Sequence, residues 1–342
     1  MLGSKVPAMA EDMAWTLEPS TDLVLQLHMQ VTGKAEPVQS SVAFYFTDAP
    51  STRTLAKVSL TTLAIDIPAG ERNYSVEDTF TLPVDAQILG ILPHAHYLGK
   101  ELKGFATLPD GTRKWLLLIR NWDFNWQDDY RFATPVSLPQ GSVLTMQYSY
   151  DNSTNNVRNP RNPPERVRYG VQTTDEMAEF WVQLQLRGRE ELPRMEGAIA
   201  RKLLQNNIAF NEYRLAQNPN DVKVHTHLGE LLLLAERKPE ALEHFRIALQ
   251  IDPNYDQLHY NLGILFRQAK QPEKAREEFE TTLRLNPEHS RAHGNLGFIF
   301  ESQQDWERAE YHLRQALQLN PNDKLVLDAL NEVLRAKNAR SK

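Results

Sequence analysis

One constant spacing recurs along the second half of the chain and limits its fold more than any other feature. Pro219, Pro253, Pro287 and Pro321 keep it, as do Gly229, Gly263 and Gly297, and Ala241, Ala275 and Ala309. Leu228, Leu262 and Leu296 stand directly before the glycines. A fixed period of about 34 residues arises when one small helical unit is stacked on copies of itself, because no single unit can bury its apolar face alone. The glycine lets two helices approach closely, and the proline follows each second helix, where it cannot continue one. The spacing predicts three full repeats over 220–253, 254–287 and 288–321. A partial, atypical helix is expected over 196–217. A capping helix, Leu325–Lys337, is expected to cover the last apolar face.

Two helices in every period, with these small and apolar positions, resemble the tetratricopeptide repeat. The resemblance implies an all-α solenoid whose concave surface takes a protein or peptide. Seven of the ten histidines fall in this half. His225 and His227 point apart by about 200° on a helix and cannot act as a pair. His289 and His293 share a face at a helix start, where a surface or packing role is expected. Tyr255, Tyr260 and Trp306 read as packing within repeats.

The first half reads differently, in short alternating runs separated by turn residues. Strands are expected at Leu23–Met29, Ser41–Thr47, Ala56–Ile65, Tyr74–Leu82, Ile88–Ile91, Glu101–Leu108, Trp115–Arg120, Ser142–Tyr150 and Glu176–Leu186. Pro109-Asp110-Gly111 is a hairpin turn, and Asp151–Pro164 is a long Asn- and Pro-rich loop. Many short strands of this kind point to an all-β sandwich, a jelly roll in particular. The expected organisation is therefore an irregular segment over 1–20, left over from an upstream region, then a β-sandwich over 21–189. A linker and atypical helix follow over 190–219, repeats over 220–321, and a cap and tail over 322–342.

Within the sandwich the stretch Leu92–Gly99, LPHAHYLG, carries two histidines one residue apart. If the preceding strand continues, His94 and His96 share one face with Cα atoms about 7 Å apart. Two imidazoles at that spacing can hold one metal ion. Met177, in TTDEMAEFWVQLQL, is the best candidate for a third ligand. Two imidazoles and a thioether form a soft site that suits copper, Cu(I) above all, better than zinc. The alternatives are two histidines packed or hydrogen-bonded on a strand, and a core methionine. Asp175 and Glu176 can orient histidine N–H groups in an outer shell. The loop NWDFNWQDDY, with Trp122, Trp126 and Tyr130, either lines a pocket or anchors itself by burying its rings. Trp181 joins these three as a pocket candidate.

Taken in order, HAHYLGK, the strand ending YSYDNS and GVQTTDEM resemble the C-terminal domain of the type II copper, ascorbate-dependent monooxygenases over residues 20–187. That resemblance implies an oxygen-activating copper, one per chain, on His94, His96 and Met177. It also implies dioxygen and an external reductant as co-reactants. His28, in LVLQLHM, matches the third ligand of the family's second, electron-supplying copper. The adjacent histidine pair that completes that copper occurs nowhere in this sequence. The family's substrate-binding positions are also changed, being Leu92, Glu179 and Trp181 here. Leu92 cannot pair with a substrate carboxylate as an arginine would.

Net charge is −6, and neither half is basic, so a nucleic-acid partner is not expected. No apolar run reaches the roughly 18 residues of a membrane span. The absence of cysteine excludes disulfides, thiolate metal sites and cysteine nucleophiles. An extracytoplasmic or periplasmic location is expected if the chain belongs to a longer secreted protein, and a soluble cytoplasmic one otherwise. Two functions follow: a copper-dependent monooxygenase domain fused to a partner-binding array, or a scaffold whose sandwich is catalytically silent.

Overall fold

The computed structural model describes residues 53–340 and scattered positions between 22 and 48. His28 and nearly all of the expected strand Leu23–Met29 lie outside the described residues. The positions described within 41–47 are not in a strand. Contacts divide the chain into units 1–200 and 201–342, with the boundary inside a helix.

The first unit is built on two antiparallel four-stranded sheets. One has the order β1 (Thr54–Thr61), β10 (Glu179–Leu186), β4 (Ala86–His94), β7 (Tyr130–Leu138). The other has the order β3 (Tyr74–Thr81), β8 (Val143–Tyr150), β5 (Gly99–Thr107), β6 (Arg113–Ile119). A two-residue pair, β2 (Asp66–Ile67) with β9 (Val167–Arg168), forms a third, minor ladder. Alternation decides which face is buried. In β10, Phe180, Val182, Leu184 and Leu186 are buried, and their neighbours are only partly so. These residues join Leu60, Leu102, Leu144 and Tyr148 in one core drawn from both sheets. The sheets meet at Gly104, where an added Cβ would stand 2.1 Å from the Phe180 ring.

The hairpin at Pro109-Asp110-Gly111 forms as its residues require. Gly111 has φ 86°, and the Asp110 carboxylate accepts from the Thr112 amide at 2.8 Å. Strand β7 is absent from the sequence expectation because Pro135 lies inside it. Along β4, Ile88 pairs with Val136 while Gly90 pairs with Arg131, so the β7 side bulges over residues 132–135. An edge strand with a bulge is where a sheet tolerates proline. The expected linker at Glu190–Arg194 is helical. A 3-10 turn, Arg189–Glu191, leads into α1 (Leu192–Gln217), whose Met195 is buried in the sheet core.

The second unit is all helical. Its pairs are α2 (Val222–Leu234) with α3 (Lys238–Ile251), α4 (Asp256–Gln268) with α5 (Pro272–Leu285), and α6 (Ser290–Ser302) with α7 (Trp306–Leu319). Helix α8 (Lys324–Arg340) follows, with Val326 and Val333 buried against the last pair. Each periodic glycine faces a large side chain of its partner helix: Gly229 faces Phe245, Gly263 faces Phe279 and Gly297 faces Leu313. The turn between the helices of each pair repeats as well. Glu236, Lys270 and Gln304, again one period apart, have φ of 61°, 58° and 59°. His289 caps α6, its Nδ1 accepting from the Ala292 amide at 3.1 Å. Among the described residues no helix is long and apolar enough to cross a membrane.

Candidate metal centre

The strand β4 stops at His94, so His96 does not sit on it. The two rings are nevertheless brought together, with centroids 5.1 Å apart and planes at 83°. What holds them is a set of buried hydrogen bonds rather than strand alternation. Glu176 is fully buried and central to the set. Its Oε1 accepts from the amides of His96 and Met177, the latter at 2.9 Å. Its Oε2 accepts from the Leu98 amide at 3.0 Å. One carboxylate therefore ties the histidine segment to a segment 80 residues away and brings the Met177 backbone beside that of His96. The Tyr150 hydroxyl donates to the Met177 carbonyl at 2.8 Å and holds the same segment from the other sheet. Burial pushes the Glu176 carboxyl up to about 8, against three backbone N–H groups that favour its charged form.

The aromatic loop secures the histidine segment from the opposite side. Trp122, only 1% exposed, donates from Nε1 to the carbonyls of Ala95 and His96 at 3.2 and 3.1 Å. Its ring leaves no room for a side chain at Gly99, where a Cβ would lie 2.6 Å from Trp122 Cδ1. That contact accounts for the glycine that closes LPHAHYLG.

The ring nitrogens are also assigned. His96 Nδ1 lies 3.1 Å from the Asp175 carbonyl oxygen, which can only accept, so Nδ1 carries the proton. His94 Nδ1 lies 2.5 Å from Gln127 Oε1. The Gln127 amide nitrogen donates to the Phe124 carbonyl at 2.8 Å, so its oxygen faces the ring and His94 also donates from Nδ1. In each ring Nδ1 is thus the engaged nitrogen, and Nε2 is the one left to ligate. An outer-shell oxygen on one ring nitrogen is the usual arrangement of a metal-ligating histidine. Burial, the largest influence, lowers the His96 pKa and keeps that ring neutral.

Of the two acids expected to orient histidine N–H groups, Asp175 holds one and Glu176 does not. Asp175 orients His96 through its backbone carbonyl, while its carboxylate accepts from the Gln172 amide at 3.2 Å. Glu176 holds main-chain amides and touches no imidazole N–H. The four aromatic side chains expected to line a pocket are dispersed. Trp122 is an interior anchor, and Trp126 is 73% exposed. Tyr130 opens β7 opposite Ile91. Trp181 lies on the solvent side of β10, bonded to Glu179 at 2.9 Å with Lys57 4.2 Å above its ring. Phe124, against His96 at 5.6 Å, and Gln127 are the neighbours that sequence reasoning missed. Both lie in NWDFNWQDDY, where the tryptophans and Tyr130 drew attention instead, and the loop meets the histidines only in the fold.

Among the described residues, no three His, Cys, Asp or Glu side chains stand close enough to hold a metal. Among the described residues, a third donor to this pair is therefore of another kind. Met177, 9% exposed and adjacent through the shared carboxylate, has a thioether to offer. Two neutral imidazoles and one thioether fit copper, and Cu(I) in particular.

Residues 209–256 and 260–324 match the family model of the tetratricopeptide repeat. No curated protein matches the sequence. A crystal structure of MamA protein is 17% identical, with a TM-score of 0.36, over 42% of this chain and 78% of that one. A second MamA crystal structure is also 17% identical with a TM-score of 0.36, covering 46% and 88%. The first TPR of Spaghetti (RPAP3), bound to the HSP90 peptide SRMEEVD, is 20% identical with a TM-score of 0.32, covering 34% and 93%. The helical part of this chain, over the two matched stretches, consists of tetratricopeptide repeats.

Proposed function

We propose that the chain is a scaffold that couples a partner-docking repeat array to a β unit holding one copper ion on His94, His96 and Met177. The observation that carries the metal half is the assignment of the ring nitrogens. Each histidine donates its Nδ1–H to a fixed oxygen, which leaves its Nε2 free to ligate. The docking half rests on the tetratricopeptide repeats, an architecture that offers a protein or peptide an extended concave surface. The strand orders β1-β10-β4-β7 and β3-β8-β5-β6 support a jelly-roll topology for the copper unit.

A second reading, a copper monooxygenase, is favoured by the setting of His94. It is only half-buried and stands two residues from Leu92, which is 38% exposed. The pair therefore has an open side. Copper there would supply one-electron chemistry and, with dioxygen and an external reductant, hydroxylation of an aliphatic carbon. The chain's own residues would hold the rings fixed, while Leu92 would offer apolar contact to whatever approaches.

Anaerobic titration of Cu(I) against a chromophoric chelator tests the site. The full chain should take one equivalent. His94→Ala and His96→Ala should each weaken binding by about 100-fold or more, beyond the usual effect of outer-shell changes. Unchanged stoichiometry and affinity in both variants would place the copper elsewhere.

A further inference from the structure

Histidines stand at the same place in all three repeats: His225 on α2, His259 on α4 and His293 on α6, each one period from the next. Each Nε2 meets the carbonyl of the proline six residues before it, at 2.9, 2.9 and 3.2 Å for Pro219, Pro253 and Pro287. A carbonyl only accepts, so every one of these Nε2 atoms carries a proton. Each Nδ1 reaches the second helix of its own repeat, at the same relative position every time. His225 meets His244 Nδ1 at 2.9 Å, and His293 meets His312 Nδ1 at 3.0 Å. His259 instead meets Glu278 Oε2 at 2.7 Å.

The chemistry of the partner dictates the charge. Two imidazole Nδ1 atoms at this distance share a single proton. With Nε2–H already fixed on the first ring, its Nδ1 accepts and the partner's Nδ1–H donates, so the bond forms without either ring needing a charge. A carboxylate cannot donate, so His259 needs a second proton and forms an ion pair with Glu278. From this geometry we infer that the first and third repeats are closed by acid-sensitive latches and the second by an acid-tolerant one. The first added proton goes to the partner's Nε2 and leaves an imidazolium beside a neutral ring; a second, on the Nδ1 of the first ring, sets two N–H groups and two charges against each other and removes the bond that joins the two helices.

The surroundings agree. Burial lowers the pKa of His244, with His225 adding to the effect. Glu240 and Glu243 oppose it, and Arg237 assists. His312 is pushed down to about 4 by burial, then by His293 and Arg308. His293 is lowered by burial and by His289, against the pull of the Pro287 carbonyl. His259 is raised, first by Glu278, with burial and Arg284 opposing. The sign follows from linkage. A histidine with a lowered folded pKa gives its full stabilisation above about 6.5 and loses it as pH falls toward the folded value. His259, raised, stabilises below about 6.5 and loses that contribution as pH rises through its folded pKa.

The test uses the full chain and two reciprocal variants. His244→Glu/His312→Glu converts both outer latches to the pairing of the second repeat, and Glu278→His does the reverse. Between pH 7 and pH 5 the helical melting temperature should fall by roughly 5 °C or more in the parent. It should fall less in the double variant and more in Glu278→His. Equal losses in all three, or none in the parent, would overturn the inference. Nitrogen-15 spectra of the parent give a reading independent of variant folding. At pH 7, His225 and His293 should be neutral Nε2–H tautomers and His259 an imidazolium. A neutral His259, or Nδ1–H tautomers at the other two, would also overturn it.

Discussion

Replacing Glu176 by alanine is expected to destabilise the β unit by about 3–5 kcal/mol, because it leaves three buried amides without an acceptor. Those amides belong to His96, Leu98 and Met177, so the loss falls on both segments of the candidate metal centre at once. The core gives little room for water to take the vacated place, since Ala95, Leu98 and Ala178 around it are all at most 2% exposed. Glu176→Gln keeps the shape and one acceptor oxygen but turns an NH2 toward an amide, and should cost about 1–3 kcal/mol. Denaturant unfolding followed by tryptophan fluorescence measures both. Cu(I) affinity should fall in the same order, parent, glutamine, alanine. An alanine variant as stable as the parent would show that the buried carboxylate does not hold the two segments together.

The second large effect is expected in the repeats. A Cβ at Gly263 would lie 2.5, 2.7 and 2.9 Å from three atoms of the Phe279 ring, which is fully buried. The helix cannot accommodate it without moving α4 away from α5 or turning the ring from its rotamer. Gly263→Ala should therefore destabilise the array by about 2–3 kcal/mol, although alanine is the better helix former by about 1 kcal/mol. Thermal melts followed by circular dichroism at 222 nm read it. A gain in stability would mean that helix propensity, and not close approach, governs this position.

Glycines of this kind explain why the helical half could be read from sequence. Packing demands a small residue at one place in every repeat, so the demand is written as a period, and a pair of helices falls within each. The strands were legible where apolar and polar residues broadly alternate, as in Tyr74–Thr81 and Val143–Tyr150. Strand β7 was not, because Pro135 and its bulge break the alternation. The candidate metal centre was visible in the sequence only as residue types. His94 and His96 were placed together by a strand argument, yet the strand ends at His94 and hydrogen bonds from Trp122 and Glu176 position His96. No local pattern announces that a glutamate so distant in the chain will accept these amides. The pairing exists only once β4 and β10 lie side by side, with Glu179 opposite His94.

X-ray absorption at the copper edge, on the reduced full chain, tests the copper-site proposal most directly. The proposed site gives imidazole nitrogen neighbours and one sulfur neighbour. Met177→Ala should lose the sulfur contribution and keep the nitrogens, with an unchanged circular dichroism spectrum. Reduced copper with no sulfur neighbour in the parent, or copper bound equally well in a variant lacking both His94 and His96, would contradict the assignment.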